Sequence, residues 1–263
     1  MRVKKGIEEI RNLFDLKGKV AIVTGGSGGF GRAVSSGLAV HGADVVVTSR
    51  TLASLEEVAG EIRKLGGKAL PISCDVTDPK SVDQMVKRTV EEFGKVNILV
   101  TSAGIAARSP AEEMPIENWQ KVMDVNVKGT FLCCQAAGKV MIKQGGGKII
   151  TVSSVRGLVG HPAGYSAYGT SKGAVHLLTR QLATEWAKYK INVNSIAPCI
   201  FWTPLTEPVL KDEKMYNIFM SRIPWGRAAE PEDFVGAAVF LSSAASDFVT
   251  GDILYVDGGS VAG

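Results

Sequence analysis

The chain reads as α/β: a doubly wound parallel sheet of about seven strands with helices on both faces, in a single domain. Three observations predict this. Seven short apolar runs, rich in Val and Ile and not alternating with polar residues, have the pattern of strands buried on both faces. Longer stretches of helical spacing separate them, and repeated strand–helix alternation makes a parallel sheet with right-handed crossovers. Glycine is in excess, 30 of 263 residues, which suits many tight turns and close backbone approaches.

Taken in order, residues 1–15 read as an N-terminal extension and 16–263 as the domain. In the extension, Ile7, Ile10, Leu13 and Phe14 share one helical stripe, which predicts an arm packed on the surface or against another subunit. The first strand is Val20 to Val23, followed by a glycine-rich loop and a helix from Gly31 to His41. Val45 to Thr48 is the second strand, and Thr51 to Leu65 has helical spacing. The third strand, Ala69 to Ser73, leads to a helix from Ser81 to Phe93, with Asp78 suited to its N-cap. Ile98 to Thr101 is the fourth strand, followed by a long helix from Trp119 to Lys143. The fifth strand, Lys148 to Ser153, precedes a second long helix from Ala167 to Tyr189. Ile191 to Ile196, a helix from Pro231 to Leu241, and Ile253 to Val256 complete the series.

Composition excludes several classes. An apolar content of 45% is enough for a full core, and 21% charged residues is too few for a disordered chain. The net charge of +4 is spread along the chain with no run of five basic residues, so no nucleic-acid partner and no membrane surface is expected. No apolar stretch reaches the ~20 residues of a membrane span. Met1-Arg2-Val3-Lys4-Lys5 is basic but lacks the apolar core of a signal peptide. Cys74, Cys133, Cys134 and Cys199 have no metal-site or disulfide spacing, so no metal is expected. A soluble, cytoplasmic protein is the expectation.

The first strand runs into Thr24-Gly25-Gly26-Ser27-Gly28-Gly29-Phe30-Gly31 and then a helix. A dinucleotide pyrophosphate needs a tight turn, backbone without Cβ where it approaches, and free N–H groups at a helix start. The loop reads either as G-x-G-x-x-G from Gly26 to Gly31 or as T-G-x-x-x-G-x-G with Gly25, Gly29 and Gly31 fixed. Its strand–loop–helix context makes the sheet Rossmann-type and Gly25, Ser27, Gly28, Gly29, Phe30 and Gly31 the phosphate-binding residues. The second strand ends in Thr48-Ser49-Arg50 without the acid that hydrogen-bonds an NAD ribose, whereas an Arg pairs with the 2′-phosphate of NADP. NADP(H) is therefore preferred, with Ser49 and Arg50 as selectors; NAD(H) remains open, with Arg50 stacked on adenine or in solvent. Asp75, with Val76 beside it at the end of the third strand, is placed to meet the adenine amino group.

Tyr168 and Lys172 are four apart and so share a helix face. A lysine charge beside a phenol favours phenolate, which predicts a lowered tyrosine pKa and a general acid/base usable near neutrality. The fifth strand ends in Ser153-Ser154-Val155-Arg156-Gly157 at the sheet edge where ligands bind.

These motifs resemble the short-chain dehydrogenase/reductase family from Leu16 to Gly259. The matching segments are the Thr24-to-Gly31 loop, Tyr168-x-x-x-Lys172, Asn126 in Asp124-Val125-Asn126-Val127-Lys128-Gly129, Pro198 with Thr203, and Val256-Asp257-Gly258-Gly259. The resemblance implies a Ser–Tyr–Lys–Asn tetrad. Tyr168 would move the proton and Ser154 would hold the substrate oxygen. Lys172 would bind the nicotinamide ribose and tune Tyr168. Asn126 would hold a relay water by bending the central helix. Ser154 is chosen over Ser153 because Gly157 completes Ser-x-x-Gly. The resemblance also puts Ser102, Ala103, Gly104 and Pro198 against the cofactor, with Ile200 and Thr203 backbone groups on the carboxamide. Two departures stand out. Thr101-Ser102-Ala103-Gly104 replaces Asn-Asn-Ala-Gly, and Pro198-Cys199 replaces Pro-Gly, which strains Cys199 if that position needs positive φ.

Substrate specificity is expected in segments beyond the strand ends: Phe201 to Arg227, Ile105 to Pro115 and Arg156 to Gly164. Arg108, Arg156, Tyr165 and Trp202 are the candidate substrate residues. His161 lies in the same loops, and a surface or supporting role competes for it and for each arginine. Asp15-Leu16-Lys17-Gly18-Lys19 and Ser49-Arg50 resemble the gluconate 5-dehydrogenase-like branch, which implies a hydroxy/keto sugar acid or polyol as small-molecule substrate. The alternatives are a 3-hydroxyacyl-thioester dehydrogenase or 3-ketoacyl reductase, and a non-catalytic subunit that retains the fold. The two long helices and the C-terminal segment resemble the family's contacts in a homotetramer or homodimer.

Overall fold

The computed structural model describes residues 6–204 and 206–262; the basic segment Met1 to Lys5 and the final Gly263 of the expected domain lie outside the described residues. The strands are β1 (Val20–Thr24), β2 (Asp44–Ser49), β3 (Ala69–Ser73), β4 (Ile98–Thr101), β5 (Gly147–Val152), β6 (Ile191–Pro198) and β7 (Ile253–Val256). All seven predicted runs are strands. They form one parallel sheet in the order β3-β2-β1-β4-β5-β6-β7.

The helices are α1 (Ile7–Arg11), α2 (Gly29–Val40), α3 (Leu52–Lys64), α4 (Pro79–Phe93), α5 (Ile116–Met123), α6 (Gly129–Gln144), α7 (Ser166–Trp186), α8 (Glu207–Leu210), α9 (Glu213–Met220) and α10 (Val235–Ser242). The period of two sends alternate strand residues to opposite faces. Ala21, Val23, Val45 and Val47 join Leu38 of α2, Leu55 of α3 and Val239 of α10 in one core. Ile22 and Val46 join Met85 of α4, Cys133 and Cys134 of α6 and Leu182 of α7 in the other. The Asp78 carboxylate accepts from the Lys80 N–H at 3.0 Å, so Asp78 caps α4 as expected.

The long helix before β5 is interrupted at Asn126, where the resemblance implied a bend: a π-helical turn, Asp124–Lys128, separates α5 from α6. The π turn re-aims residues that a regular helix would rotate onward, and such turns gather at functional sites. The segment after β6 holds two short helices, α8 and α9, which pack a small cluster of Ile200, Leu210, Phe219, Ile223 and Ala228 over the sheet edge. Of the N-terminal stripe, Ile7, Ile10 and Phe14 are 80%, 57% and 48% exposed and Leu13 alone is half-buried, so the alternative of an arm packed along its length on this chain is not met. Among the described residues, no helix is long and apolar enough to cross a membrane and no cluster of three or more His, Cys, Asp or Glu is placed to hold a metal ion. All four cysteines are free.

Candidate active site

Strand order reverses at β1, whose neighbours are β2 and β4, and ligands bind such sheets in the crevice beyond that point. The loop from β1 into α2 is built for close approach. Gly25 has φ 67°, and a Cβ there would stand 2.9 Å from the Ala103 nitrogen. A Cβ on Gly31 would stand 2.2 Å from the Gly25 carbonyl oxygen. Gly28, in extended backbone, caps α2 without a side-chain hydrogen bond, and a Cβ there would enter open space. The N-terminal N–H groups of α2 thus have no side-chain acceptor, which suits an anion. Phe30 turns its ring into the core, against Phe201 and Phe234 at 4.9 and 4.6 Å, so its backbone alone is left for the loop's work.

A cleft of about 610 Å³ extends from this loop, lined by Ser27, Ser49, Arg50, Asp75, Val76 and Gly104 among others. The Thr48 hydroxyl, at the same cleft, is buried and unpartnered. These features fit a dinucleotide. Ser73 donates to the Arg50 carbonyl at 3.0 Å and the Thr51 N–H donates to Ser49 at 3.3 Å, fixing the backbone at the β2 end. Arg50 is exposed and makes no ion pair among the described residues, whereas Arg32 is engaged by Glu57 at 3.1 Å and by Glu61. The Thr77 N–H and hydroxyl donate to the Asp75 carboxylate at 2.9 and 2.8 Å, holding it below its ordinary range, with smaller help from Arg50 and Lys128.

Asn126, Ser154, Tyr168 and Lys172 converge beside this cleft. The π turn presents Asn126, whose amide bonds both ways with the Ile105 backbone at 2.9 Å and donates to Ser171 at 2.9 Å. Ser171 in turn donates to the Tyr168 carbonyl at 2.7 Å. A Cβ on Gly104 would lie 3.3 Å from the Asn126 oxygen and 3.6 Å from the Lys172 ammonium, so these three meet at one point. Gly157 has a packing reason: a Cβ there would stand 2.7 Å from His176 and 2.8 Å from the Lys172 backbone. That close approach brings Ser154 to α7. Ser154 lines a cavity with Tyr168, while Ser153 points inward to His176 and Ser195 at 2.9 and 2.8 Å.

The electrostatics correct one expectation. Burial pushes the Tyr168 phenol up to about 12, with Ser154 and Arg156 pulling it back only in part. Lys172 does not lower it. Its ammonium donates to the Val152 carbonyl at 2.8 Å, lies 5.6 Å from the Tyr168 ring centre, and is itself pushed down to about 8 by burial. The lysine value carries a stability consequence. An unfolded chain keeps this proton up to an ordinary 10.5, while the folded chain releases it near 8. The burial cost is therefore full below pH 8 and fades between 8 and 10.5. Lys172→Met is expected to raise the melting temperature at neutral pH, by at most about 3 kcal/mol of stability, and to lose that advantage as pH rises. Paired thermal unfolding from about pH 7 to about pH 10 checks this; a difference that does not vary with pH would refute it.

The cavity next to Ser154 and Tyr168 has a volume of about 300 Å³, and Arg108, Arg156, Tyr165, Ile200 and Phe219 form part of its wall. Three of the four candidate substrate residues are thus brought together. Trp202 is not: it packs against the small cluster under α8 and α9, because α9 supplies Phe219 to the cavity instead. A larger outer cavity of about 920 Å³ shares Arg108, Arg156 and Tyr165 and adds His161. Cys199 is unstrained, since among the described residues Lys190 alone has positive φ without being glycine. Its thiol lies 3.5 Å from the Ser260 hydroxyl. The Thr203 backbone is occupied within the chain: its N–H donates to the Thr206 hydroxyl at 3.1 Å and its carbonyl accepts from Thr206 and Glu207. Its methyl group instead faces Gly29 across the cleft, 3.4 Å from where a Cβ would be. The Ile200 carbonyl accepts from the Ala229 N–H at 3.1 Å, and the Pro198 carbonyl accepts from Ser154 at 3.4 Å. The departure at β4 leaves the Thr101 hydroxyl buried and unpartnered, while the Ala103 N–H donates to Thr24 at 3.3 Å.

Sequence reading missed Ser171, which ties Asn126 to Tyr168, and the His176–Ser153–Ser195 network behind Ser154. The spacing of Ser171, three after Tyr168 on one helix, was the available signal; the network joins β5, β6 and α7 and has none.

Comparison with known proteins agrees with this fold. Residues 25–260 match the sequence model of the family described as enoyl-(acyl carrier protein) reductase. The chain is 40% identical to gluconate 5-dehydrogenase of Gluconobacter oxydans over 94% of its own length and 96% of that protein. A solved short-chain type dehydrogenase/reductase from Mycobacterium marinum superposes with a TM-score of 0.93 at 42% identity, covering 97% of this chain and all of that one. A gluconate 5-dehydrogenase from Burkholderia cenocepacia, solved in complex with NADP and tartrate, superposes with a TM-score of 0.93 at 35% identity, covering 96% and 98%. With this sheet order, this glycine loop and full-length relatives on both measures, the chain belongs to the short-chain dehydrogenase/reductase family.

Proposed function

We propose that this protein interconverts a secondary alcohol and a ketone on a hydroxy or keto sugar acid or polyol, with NADP(H) as its redox partner. The observation that carries the reading is that Ser154 and Tyr168 line a cavity that also holds Arg156, with Lys172 and Asn126 meeting beside them at Gly104. That guanidinium is half-buried, donates to the Gly160 carbonyl at 3.3 Å, and has no carboxylate partner among the described residues. A desolvated cation without a counter-ion favours an anionic ligand. The named activity of the Gluconobacter relative and the complex of the Burkholderia enzyme with NADP and tartrate support a hydroxy acid.

A bound nicotinamide supplies or accepts the hydride. Ser154 orients the substrate oxygen, and Tyr168, protonated across the neutral range, gives its phenolic proton to that oxygen during ketone reduction. Burial lets the small cavity concentrate these contacts and exclude water. Lys172 would bind the nicotinamide ribose, and Asn126 holds the Ile105 turn beside it. Gly25, Ser27, Gly28, Gly29, Phe30 and Gly31 would hold the pyrophosphate, Asp75 and Val76 the adenine, and Ser102, Ala103, Gly104, Pro198, Ile200 and Thr203 the nicotinamide half.

Ser49 and Arg50 select NADP(H) over NAD(H). Arg50→Asp is expected to weaken NADPH binding about 10–100-fold and to shift preference toward NADH, since a charge-assisted pair to the 2′-phosphate is lost and repulsion added. Titration with NADPH and NADH, followed by nicotinamide fluorescence, tests both the cofactor reading and its selector. Unchanged NADPH affinity in the variant would remove Arg50 from that role; no binding of either by the wild type would leave a non-catalytic fold as the better account.

A second reading, a 3-hydroxyacyl-thioester dehydrogenase or 3-ketoacyl reductase, is favoured by the basic rim that Arg108 and Arg156 form on the outer cavity. Turnover of acetoacetyl-CoA in preference to keto sugar acids would decide for it. Residues 16–263 act as one domain in either reading. Exposed Phe131 on α6 and Leu177 on α7, at 39% and 60%, support a homotetramer or homodimer through these helices. Four free cysteines suit the cytoplasm.

A further inference from the structure

His161 is the unusual group at this site. Its Nδ1 accepts from the Ala163 N–H at 3.2 Å, which leaves the proton of the neutral imidazole on Nε2. That Nε2 is buried and has no partner among the described residues. The ring is held rather than loose: it stacks on Phe219 of α9 at 5.2 Å and 13°, and Tyr165 meets its edge at 5.4 Å. Phe219 and Tyr165 both belong to the wall of the inner cavity. Burial, then Arg156, Arg222 and Arg108, push the imidazole down to about 4, so it stays a neutral donor among three arginines. Arg108 and Arg156 are spent on backbone carbonyls, Ala163 at 3.4 Å and Gly160 at 3.3 Å, and none of the three arginines has a carboxylate partner among the described residues. A fixed, unpaired donor inside a ring of uncompensated cations costs folding energy unless an anionic acceptor completes it.

We propose that His161 is a specificity-determining residue whose Nε2–H donates a hydrogen bond to the carboxylate of the acid held by Arg156 and Arg108. The proposal rests on the reading of those arginines as the substrate's anion site. His161 adds direction to their charge: it reads a carboxylate oxygen by hydrogen bonding, whereas the arginines attract any anion. A neutral polyol of the same length gains nothing from it.

The test titrates D-gluconate and D-glucitol, six-carbon polyols that differ in one carboxylate, into the NADPH-loaded protein, which cannot oxidise either, by calorimetry. The wild type is expected to bind gluconate more tightly. His161→Phe keeps the stack and removes the Nε2 donor together with the Nδ1 acceptor of the Ala163 N–H, and should weaken gluconate binding about 10–100-fold while leaving glucitol, which shares any effect of the loop, unchanged. Fluorescence titration with NADPH verifies that the variant is folded. In the wild type, the Nε2–H resonance of His161 should move downfield on addition of gluconate but not of glucitol, a readout that needs no variant. Gluconate preference in the wild type with equal affinity in His161→Phe, or no movement of that resonance, overturns the role of His161 and leaves the arginine site standing. No preference for gluconate in the wild type overturns the arginine site and the proposal with it.

Discussion

Tyr168→Phe should lower kcat/KM by about 10²–10⁴-fold while NADPH affinity survives. The phenol is the proton donor closest in kind to what ketone reduction requires, and burial keeps it protonated, at about 12, through the whole neutral range. Phenylalanine preserves the ring's edge contact with Tyr165 at 6.0 Å, so the cavity wall is kept and one proton is removed. Tyr165→Phe provides the comparison. It deletes the neighbouring hydroxyl, beneath Arg108 at 5.3 Å, and should cost a small fraction of the Tyr168 effect. Steady-state kinetics on a keto sugar acid, with NADPH fluorescence run in parallel, distinguish the two phenols. Retained turnover in Tyr168→Phe would mean the acid lies elsewhere.

Gly31→Ala should damage both stability and cofactor binding. The new Cβ would stand 2.2 Å from the Gly25 oxygen and 2.6 Å from its carbon, and backbone cannot step aside as a flexible side chain does. The β1–α2 loop must open, with an expected destabilisation of about 1–3 kcal/mol or more and loss of NADPH binding by at least about tenfold. Gly28→Ala separates the two effects. Gly28 is in extended backbone with open space where its Cβ would go, so the melting temperature should hold while NADPH binding weakens. Thermal unfolding of both variants, with and without NADPH, gives the comparison. A Gly31→Ala protein that binds NADPH as the wild type does would refute the close-approach role.

The strands and the site motifs were legible because each is local. A run such as Val45-Val46-Val47 declares a two-sided strand, and Tyr168 and Lys172 share a face at a spacing of four whatever surrounds them. The glycines of the loop were legible for the same reason, although which of them is required by backbone and which by a ligand was not. That distinction depends on Ala103 and Gly25, which come together through β1–β4 pairing. The bend at Asn126 came from the resemblance and not from spacing, since hydrophobic spacing runs through Trp119 to Lys143 without a break and the π turn is held by Ile105, distant in sequence.

By itself the sequence determined the α/β class, the seven strands and the glycine-rich loop, since periodicity and short-range spacing carry these; the tetrad was named through the resemblance to a family. The tertiary structure decided the rest. It turned Lys172 toward Val152 and let burial, rather than a neighbouring charge, set the Tyr168 proton. It replaced Trp202 by Phe219 in the cavity wall, and it brought Arg108 from one loop to Arg156 and His161 of another around one uncompensated space. Desolvation and the meeting of distant loops depend on the packed whole, and no window of sequence contains them.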